Sequence, residues 1–372
     1  MLCPHFGKCG GCQMQDKPYN EQFEWKINQV YKIFFREPDE AYPSPRIWYY
    51  RNRMDYVVGP GYKVGLKERG KWWAYVDLKE CYLMSPEANE IKNIFREFIR
   101  EKRWIPWDTV KHKGFARYIV IREGKFTNQR MVIAVTYKPK DPEKTKKELL
   151  EFKEMLDERK IKVDSLYLGI NPTWADVSYS YEKYLVFGKE YIEEEILGNK
   201  YLISPNSFFQ TNSYTAEILL EKAIELLDLK GDEIVYDLYA GAGFFSVEIA
   251  KNAKKVVGVE IERDSIELFK KNFEINGLNN YEIIEKKVEE LKEIKADKVI
   301  IDPPRAGMHP KAVRMLIRSK PKHIVYVSCN PKTQYRDIRQ LQKVGYELEY
   351  LVMIDQFPHT IHVEAIALLK LK

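Results

Sequence analysis

The chain carries five cysteines, Cys3, Cys9, Cys12, Cys81 and Cys329, and the first three crowd together as C-x5-C-x2-C. The short C-x2-C arm lets two thiolates face one metal centre, and Gly10 and Gly11 let the backbone wrap closely around it. Cys81 is the one candidate nearby in sequence for a fourth ligand. Four thiolates suit tetrahedral zinc or a [4Fe-4S] cluster, and spacing alone leaves both open. Cys329 is different in kind. It stands in Ser328-Cys329-Asn330-Pro331, ahead of a helix expected from about Lys332. A helix N-terminus and basic neighbours are expected to lower its pKa and favour the thiolate, although a lone cysteine is more commonly a buried structural residue.

A second constellation lies in DLYAGAGFFSVEIA. Gly241-Ala242-Gly243 directly follows a strand-like run and opens a helix-like one, and Glu260 closes the next strand, 19 residues after Gly241. Glycines let a ligand approach the backbone, and a carboxylate at Glu260 can accept the ribose hydroxyls of a nucleoside cofactor. A dinucleotide fingerprint requires a third glycine where Ser246 stands. Asp237, acidic and just before the turn, suits instead the ammonium end of S-adenosylmethionine, which has no pyrophosphate. Asp302-Pro303-Pro304-Arg305 is a third candidate, an acidic side chain followed by a rigid proline turn.

Alternating strands and helices must position these residues. Tyr214–Leu227 and Arg263–Asn276 read as helices; 233–250 reads as a strand, a glycine turn and a helix, 254–261 as a strand, 297–305 as a buried strand ending in a proline turn, and 323–331 as another strand. That pattern implies a parallel, doubly wound sheet, with ligands at the carboxyl ends of its strands. Upstream, Tyr19–Phe35 reads as an amphipathic helix, 116–124, 130–138 and 164–170 as strands, and 142–159 as a helix. The segment Trp48-Tyr49-Tyr50-Arg51-Asn52-Arg53 could stack on bases and meet phosphates, or be an ordinary strand with exposed arginines. A Gly, Pro and Asn cluster over 195–204 marks the main boundary. The expected fold is α/β: an N-terminal cysteine-cluster region over 1–90, a central mixed α/β RNA-binding region over 91–200, and a Rossmann-like class I methyltransferase domain over 201–372.

In combination, DLYAGAGFFSVEIA, DPPRAGMHP, VYVSCNPKT, HVEAIALL, SPNSFFQTN and the cysteine-rich N-terminus resemble the RNA uracil-C5 methyltransferase family, in the family's motif order and over nearly the whole chain. The resemblance implies a reaction. Carbon 5 of uracil is too weak a nucleophile for a methylsulfonium until a thiolate adds at carbon 6, so the chemistry requires covalent catalysis. Cys329 matches the family's nucleophile, and Glu364 matches the base that removes the carbon-5 proton. Gln210, Tyr239 and Glu260 match cofactor contacts, and Asp302 matches a residue near cofactor and base. Phe208 and Phe209 are candidate neighbours of a flipped base, or plain core. Cys3, Cys9, Cys12 and Cys81 match the cysteines that hold a [4Fe-4S] cluster in many family members. Many members also carry a leading oligonucleotide-binding-type barrel, and the chain resembles the shorter branch. That points to 23S rRNA as substrate, with the T-loop uridine of tRNA as the alternative.

Arg305, where amino methyltransferases place an aromatic residue and RNA cytosine-C5 methyltransferases a cysteine, argues against both rival classes. Intact Cys329 and Glu364 argue against a non-catalytic iron–sulfur RNA-binding protein. Composition agrees with these expectations. The net charge of +6 permits a polyanionic partner without demanding one. No apolar run suits a membrane span and no secretory signal opens the chain, so a cytoplasmic protein is expected, monomeric by default.

Overall fold

The computed structural model describes residues 2–372, which form two compact units. One holds residues 2–16, 46–195 and 203–206; the other holds 17–45, 196–202 and 207–372. The division expected at residue 90 is not followed. Strand Arg53–Gly59 pairs antiparallel with Ala116–Glu123, so segments on both sides of that position share one sheet. Nor is the second unit contiguous, because helix Tyr19–Phe34 and strand Glu40–Tyr42 belong to it.

The first unit is built on seven strands in the order Lys71–Asp77, Lys63–Glu68, Arg53–Gly59, Ala116–Glu123, Arg130–Thr136, Ser165–Ile170, Glu182–Gly188. Its one parallel pairing joins Arg130–Thr136 to Ser165–Ile170. A parallel pair needs a crossover, and helix Pro142–Glu158 supplies it, with Asp141 capping its first turn through Lys144 N. Phe95, Phe98 and Phe152 stack between this helix and Pro86–Glu101.

The second unit carries an eight-stranded sheet in the order Glu40–Tyr42, Tyr346–Ile354, Glu364–Leu371, His323–Ser328, Lys298–Ile301, Ile234–Leu238, Lys255–Glu260, Tyr281–Glu285. Only Glu364–Leu371 runs antiparallel to its neighbours. Central strands such as His323–Ser328 are buried at every position, which is why they read as unbroken apolar runs. On one face, alternate residues Val299, Ile301, Ile324, Tyr326, Ala367 and Leu369 pack with Val30, Phe34, Leu316 and Ile338 from three helices. Among the described residues, no helix is long and apolar enough to cross a membrane.

Candidate active site

Parallel strands end on one edge, and the candidate residues gather there. Asp237 sits at the end of Ile234–Leu238, Glu260 ends Lys255–Glu260, Asp302 follows Lys298–Ile301, and Cys329 follows His323–Ser328. Glu364 reaches the same edge for the opposite reason. Its strand runs antiparallel, so its first residue lies where its neighbours finish, with Ala365 opposite Ser328. A cavity of about 730 Å³ opens there, lined by Gln210, Gly241, Glu260, Asp302, Cys329 and Glu364 among others.

At one end of the cavity, Glu260 accepts hydrogen bonds from Gly241 N at 2.9 Å and from Ile261 N and Glu262 N at 2.7 and 2.8 Å. Oε1 takes the bonds from Ile261 N and Glu262 N and Oε2 only the one from Gly241 N, so one lone pair on Oε2 remains for a ligand. Gly241 adopts a positive φ, and a side chain there would enter open space beside the cavity. Gly243 is required for packing: at φ +84° its Cβ would stand 3.0 Å from Phe269. Asp237 is buried; Ser246 Oγ donates to one of its oxygens at 2.6 Å and the other has no partner. Burial, against which the Ser246 bond works, pushes its carboxyl up to about 7. Tyr239 lies at positive φ in the turn, lines the cavity and also packs against the core of the sheet.

At the other end, three acidic groups converge. Glu364, only 3% exposed, is held well above the carboxylate range by burial and then by Asp302. Burial and the charge of Asp237 raise Asp302, while Gln210 lowers it. Gln356 Nε2 donates to Gln210 Oε1 at 2.7 Å, and Gln210 Nε2 faces Asp302 at 3.3 Å. Cys329 departs from the expectation of a depressed pKa. Burial, then Glu364 and Asp302, push its thiol up to about 12, and Arg305 offsets this only in part. The helix it precedes begins at Pro331, with Asn330 Nδ2 bonded to Arg305 O at 3.0 Å, tying the Asp-Pro-Pro-Arg turn beside the cysteine. Phe208 and Phe209 both line the cavity, Phe208 at 63% exposure and Phe209 buried against Tyr201 and Phe244. Gln356 and Phe357 also line the cavity, and no sequence signal singled them out.

In the first unit, Cys3, Cys9, Cys12 and Cys81 line one small cavity. Among the described residues, however, no three His, Cys, Asp or Glu side chains are arranged to hold a metal ion. The thiols instead engage their neighbours: Gln15 Nε2 donates to Cys12 Sγ at 3.1 Å, and Gly11 N to Cys9 Sγ at 3.4 Å. The Trp48–Arg53 segment packs towards them. Tyr49 N and Arg51 N bond to Tyr82 O and Leu83 O, and the Arg53 guanidinium pairs with Asp55 at 2.8 Å.

The strand order, the acidic residue before the glycine turn and the ribose-height carboxylate define a class I S-adenosylmethionine-dependent methyltransferase. The model of the tRNA (uracil-5-)-methyltransferase family matches residues 123–297 and 286–372. A tRNA (uracil(54)-C(5))-methyltransferase of Pyrococcus furiosus is 43% identical over 370 residues, covering 99% of this chain and 84% of its own length. An uncharacterized RNA methyltransferase of Nanoarchaeum equitans is 46% identical over 368 residues, covering 99% of this chain and 79% of its own. Among solved structures, the Pyrococcus abyssi tRNA (uracil-54, C5)-methyltransferase in complex with S-adenosyl-L-homocysteine matches with a TM-score of 0.81 and 39% identity, over 96% of this chain and 85% of that one. The chain belongs to the tRNA (uracil-5-)-methyltransferase family, and it is an S-adenosylmethionine-dependent RNA uracil-C5 methyltransferase.

Proposed function

We propose that this enzyme methylates carbon 5 of uridine 54 in tRNA. The observation that carries this reading is the near-full-length likeness to three Pyrococcus enzymes named for that position, at 41 to 43% identity. It replaces the expectation of 23S rRNA, which rested on the shorter branch of the family, a property of domain content and not of the site. The test is tritium release from RNA labelled at carbon 5 of uridine, offered as tRNA transcript or as rRNA fragment. Cofactor-dependent release from the tRNA, lost when uridine 54 alone is replaced, supports the reading. Release from the rRNA fragment alone would sink it.

Cys329 is the proposed nucleophile at carbon 6 and Glu364 the base for the carbon-5 proton; both side chains line one cavity. S-adenosylmethionine supplies the methyl group as an electrophilic sulfonium. Glu260 and the Gly241 turn are the proposed contacts of its nucleoside, Asp237 with its unpartnered oxygen that of its ammonium group, and Gln210 with Asp302 those of the reacting end. Cys329 must surrender its proton before attack. Glu364, whose burial favours the protonated carboxyl, must likewise be ionised before its turn; once it has accepted the carbon-5 proton, the electron pair left at carbon 5 restores the ring double bond and expels the cysteine.

The four N-terminal cysteines are the proposed holders of a [4Fe-4S] cluster. Arg51 supports the fit: its guanidinium is buried with Nε unpartnered, close enough to Cys81 and Cys12 for its charge to lower their thiols. The N–H groups aimed at Cys9 and Cys12 would equally suit thiolates. Burial otherwise drives these thiols up, Cys9 to about 11 and Cys12 to about 12, so a cationic centre is what would hold them ionised. Anaerobic preparation followed by iron, sulfide and zinc assays tests this, and stoichiometric zinc without iron would refute it.

A further inference from the structure

The first unit carries an exposed aromatic pair that the chemistry above leaves unused. Trp174 is 67% exposed, and its ring stacks on His112 with centroids 5.1 Å apart and planes 13° from parallel. Both rings project from loops that cannot easily move. The Trp174 loop is gripped by Arg117, which is fully buried and donates from Nη1 to Asn171 O at 2.9 Å and Thr173 O at 2.6 Å, and from Nη2 to Ala175 O. Asn171 staples the loop again, through Val177 O at 2.8 Å and Thr173 N at 3.0 Å. Arg117 itself lies over the Trp107 ring, 4.5 Å from its centroid. On the other side, the Asp108 side chain accepts from Val110 N and Lys111 N and its backbone N donates to Lys113 O at 2.8 Å, closing the turn that sets His112 in a left-handed conformation.

A buried arginine engaged with carbonyls is an expensive way to hold a tryptophan in solvent. We infer that the His112–Trp174 pair is a stacking platform for an unpaired base of the RNA substrate other than the one that is methylated. Lys111 and Lys113 flank the platform, both exposed, and suit the neighbouring phosphates. Tyr179 and Tyr181, exposed and edge-to-face at 5.1 Å, offer further rings just ahead of strand Glu182–Gly188. An aromatic face beside cations fits single-stranded nucleic acid, because every base has a π-face whatever its sequence.

The inference rests on RNA being the substrate and not on which RNA it is. The test measures the affinity of S-adenosylhomocysteine-loaded enzyme for labelled T-arm and rRNA hairpins, in wild type and in Trp174→Ala, Trp174→Leu and Trp174→Phe. On whichever hairpin the wild type methylates, the alanine and leucine variants should bind about tenfold or more weakly, while phenylalanine restores most of the loss. Lys111→Ala and Lys113→Ala should each lower the salt slope of binding by about one. Affinity for S-adenosylhomocysteine and the melting temperature should stay at wild-type values, since the loop lies outside the cofactor cavity. Leucine at 174 binding within about twofold of wild type would overturn the platform, as would a change of oligomeric state without loss of RNA affinity. Methylation of the rRNA hairpin alone would defeat the tRNA reading and leave the platform to be judged on that RNA.

Discussion

Cys329 shows how far the identity of a residue falls short of its state. Its place before a helix argues for an easy thiolate, yet two buried carboxyl groups share its cavity and push it the other way. With a pKa near 12, the free enzyme holds a protonated thiol at neutral pH. Alkylation of Cys329 by iodoacetamide should therefore rise about tenfold per pH unit from about pH 7 to 9 without levelling off. A plateau below pH 8 would contradict this. Changing Glu364 to Gln should leave the thiol free to attack but remove the proton acceptor, so a slowly migrating RNA–protein adduct should accumulate on denaturing gels. Absence of that band, with attack intact by alkylation, would count against the base role.

Asp237 adds a linkage prediction of the same kind. Its folded pKa, raised to about 7, lies above the unfolded value near 3.8. The native state thus keeps a proton that the unfolded state releases, and stability is lost as pH rises from about 4 to 7. Asp237→Asn should gain melting temperature over wild type at about pH 8 and little or none at about pH 4.5. Equal gains at both values would mean that the charge is not the cause.

At the scale of elements, the site depends on a loop and a helix that the motifs do not mention. The segment between strands Tyr346–Ile354 and Glu364–Leu371 carries Gln356 and Phe357 into the cavity. Helix Tyr19–Phe34 holds that segment from behind. Lys26 Nζ, fully buried, bonds Asp355 Oδ1 at 2.6 Å and Phe357 O at 2.9 Å, and Gln22 Oε1 accepts from His359 N at 3.0 Å. Lys26→Met leaves Asp355 as an uncompensated buried charge and should cost about 3–5 kcal/mol of stability. Removing both charges, in Lys26→Met/Asp355→Leu, should recover most of it. Chemical denaturation of wild type and both variants checks this; a double variant no more stable than Lys26→Met would mean that the uncompensated charge is not the cause.

The whole molecule does not divide where its sequence changes character. A fragment starting at residue 201 contains every motif of the methyltransferase fold but lacks helix Tyr19–Phe34 and strand Glu40–Tyr42, which the same unit needs. Without Val30 and Phe34, part of the sheet's apolar face meets water. Such a fragment should bind hydrophobic dyes and melt without a sharp transition, and a fragment carrying 17–45 as well should recover cooperativity. A sharp transition in the shorter piece would show that the helix is dispensable.

Much of this protein was legible in its residue order. Glycine turns, buried apolar strands and capped helices are local features, and helix 142–159 or strand 116–124 fell within about a residue of the observed Pro142–Glu158 and Ala116–Glu123. The residues expected at the strand ends do share one edge, because a parallel sheet leaves them nowhere else to go. Three things were decided by tertiary structure alone. The cavity's carboxyl groups come from strands far apart in sequence, so their mutual repulsion and its effect on Cys329 could not be read from any one segment. Gln356 and the Lys26–Asp355 pair carry no local pattern, since a buried polar residue is recognisable only by what surrounds it. The assignment of 17–45 to the second unit follows from where its apolar face finds a partner. Spacing along a chain reports what is local, whereas burial and charge pairing belong to the folded whole.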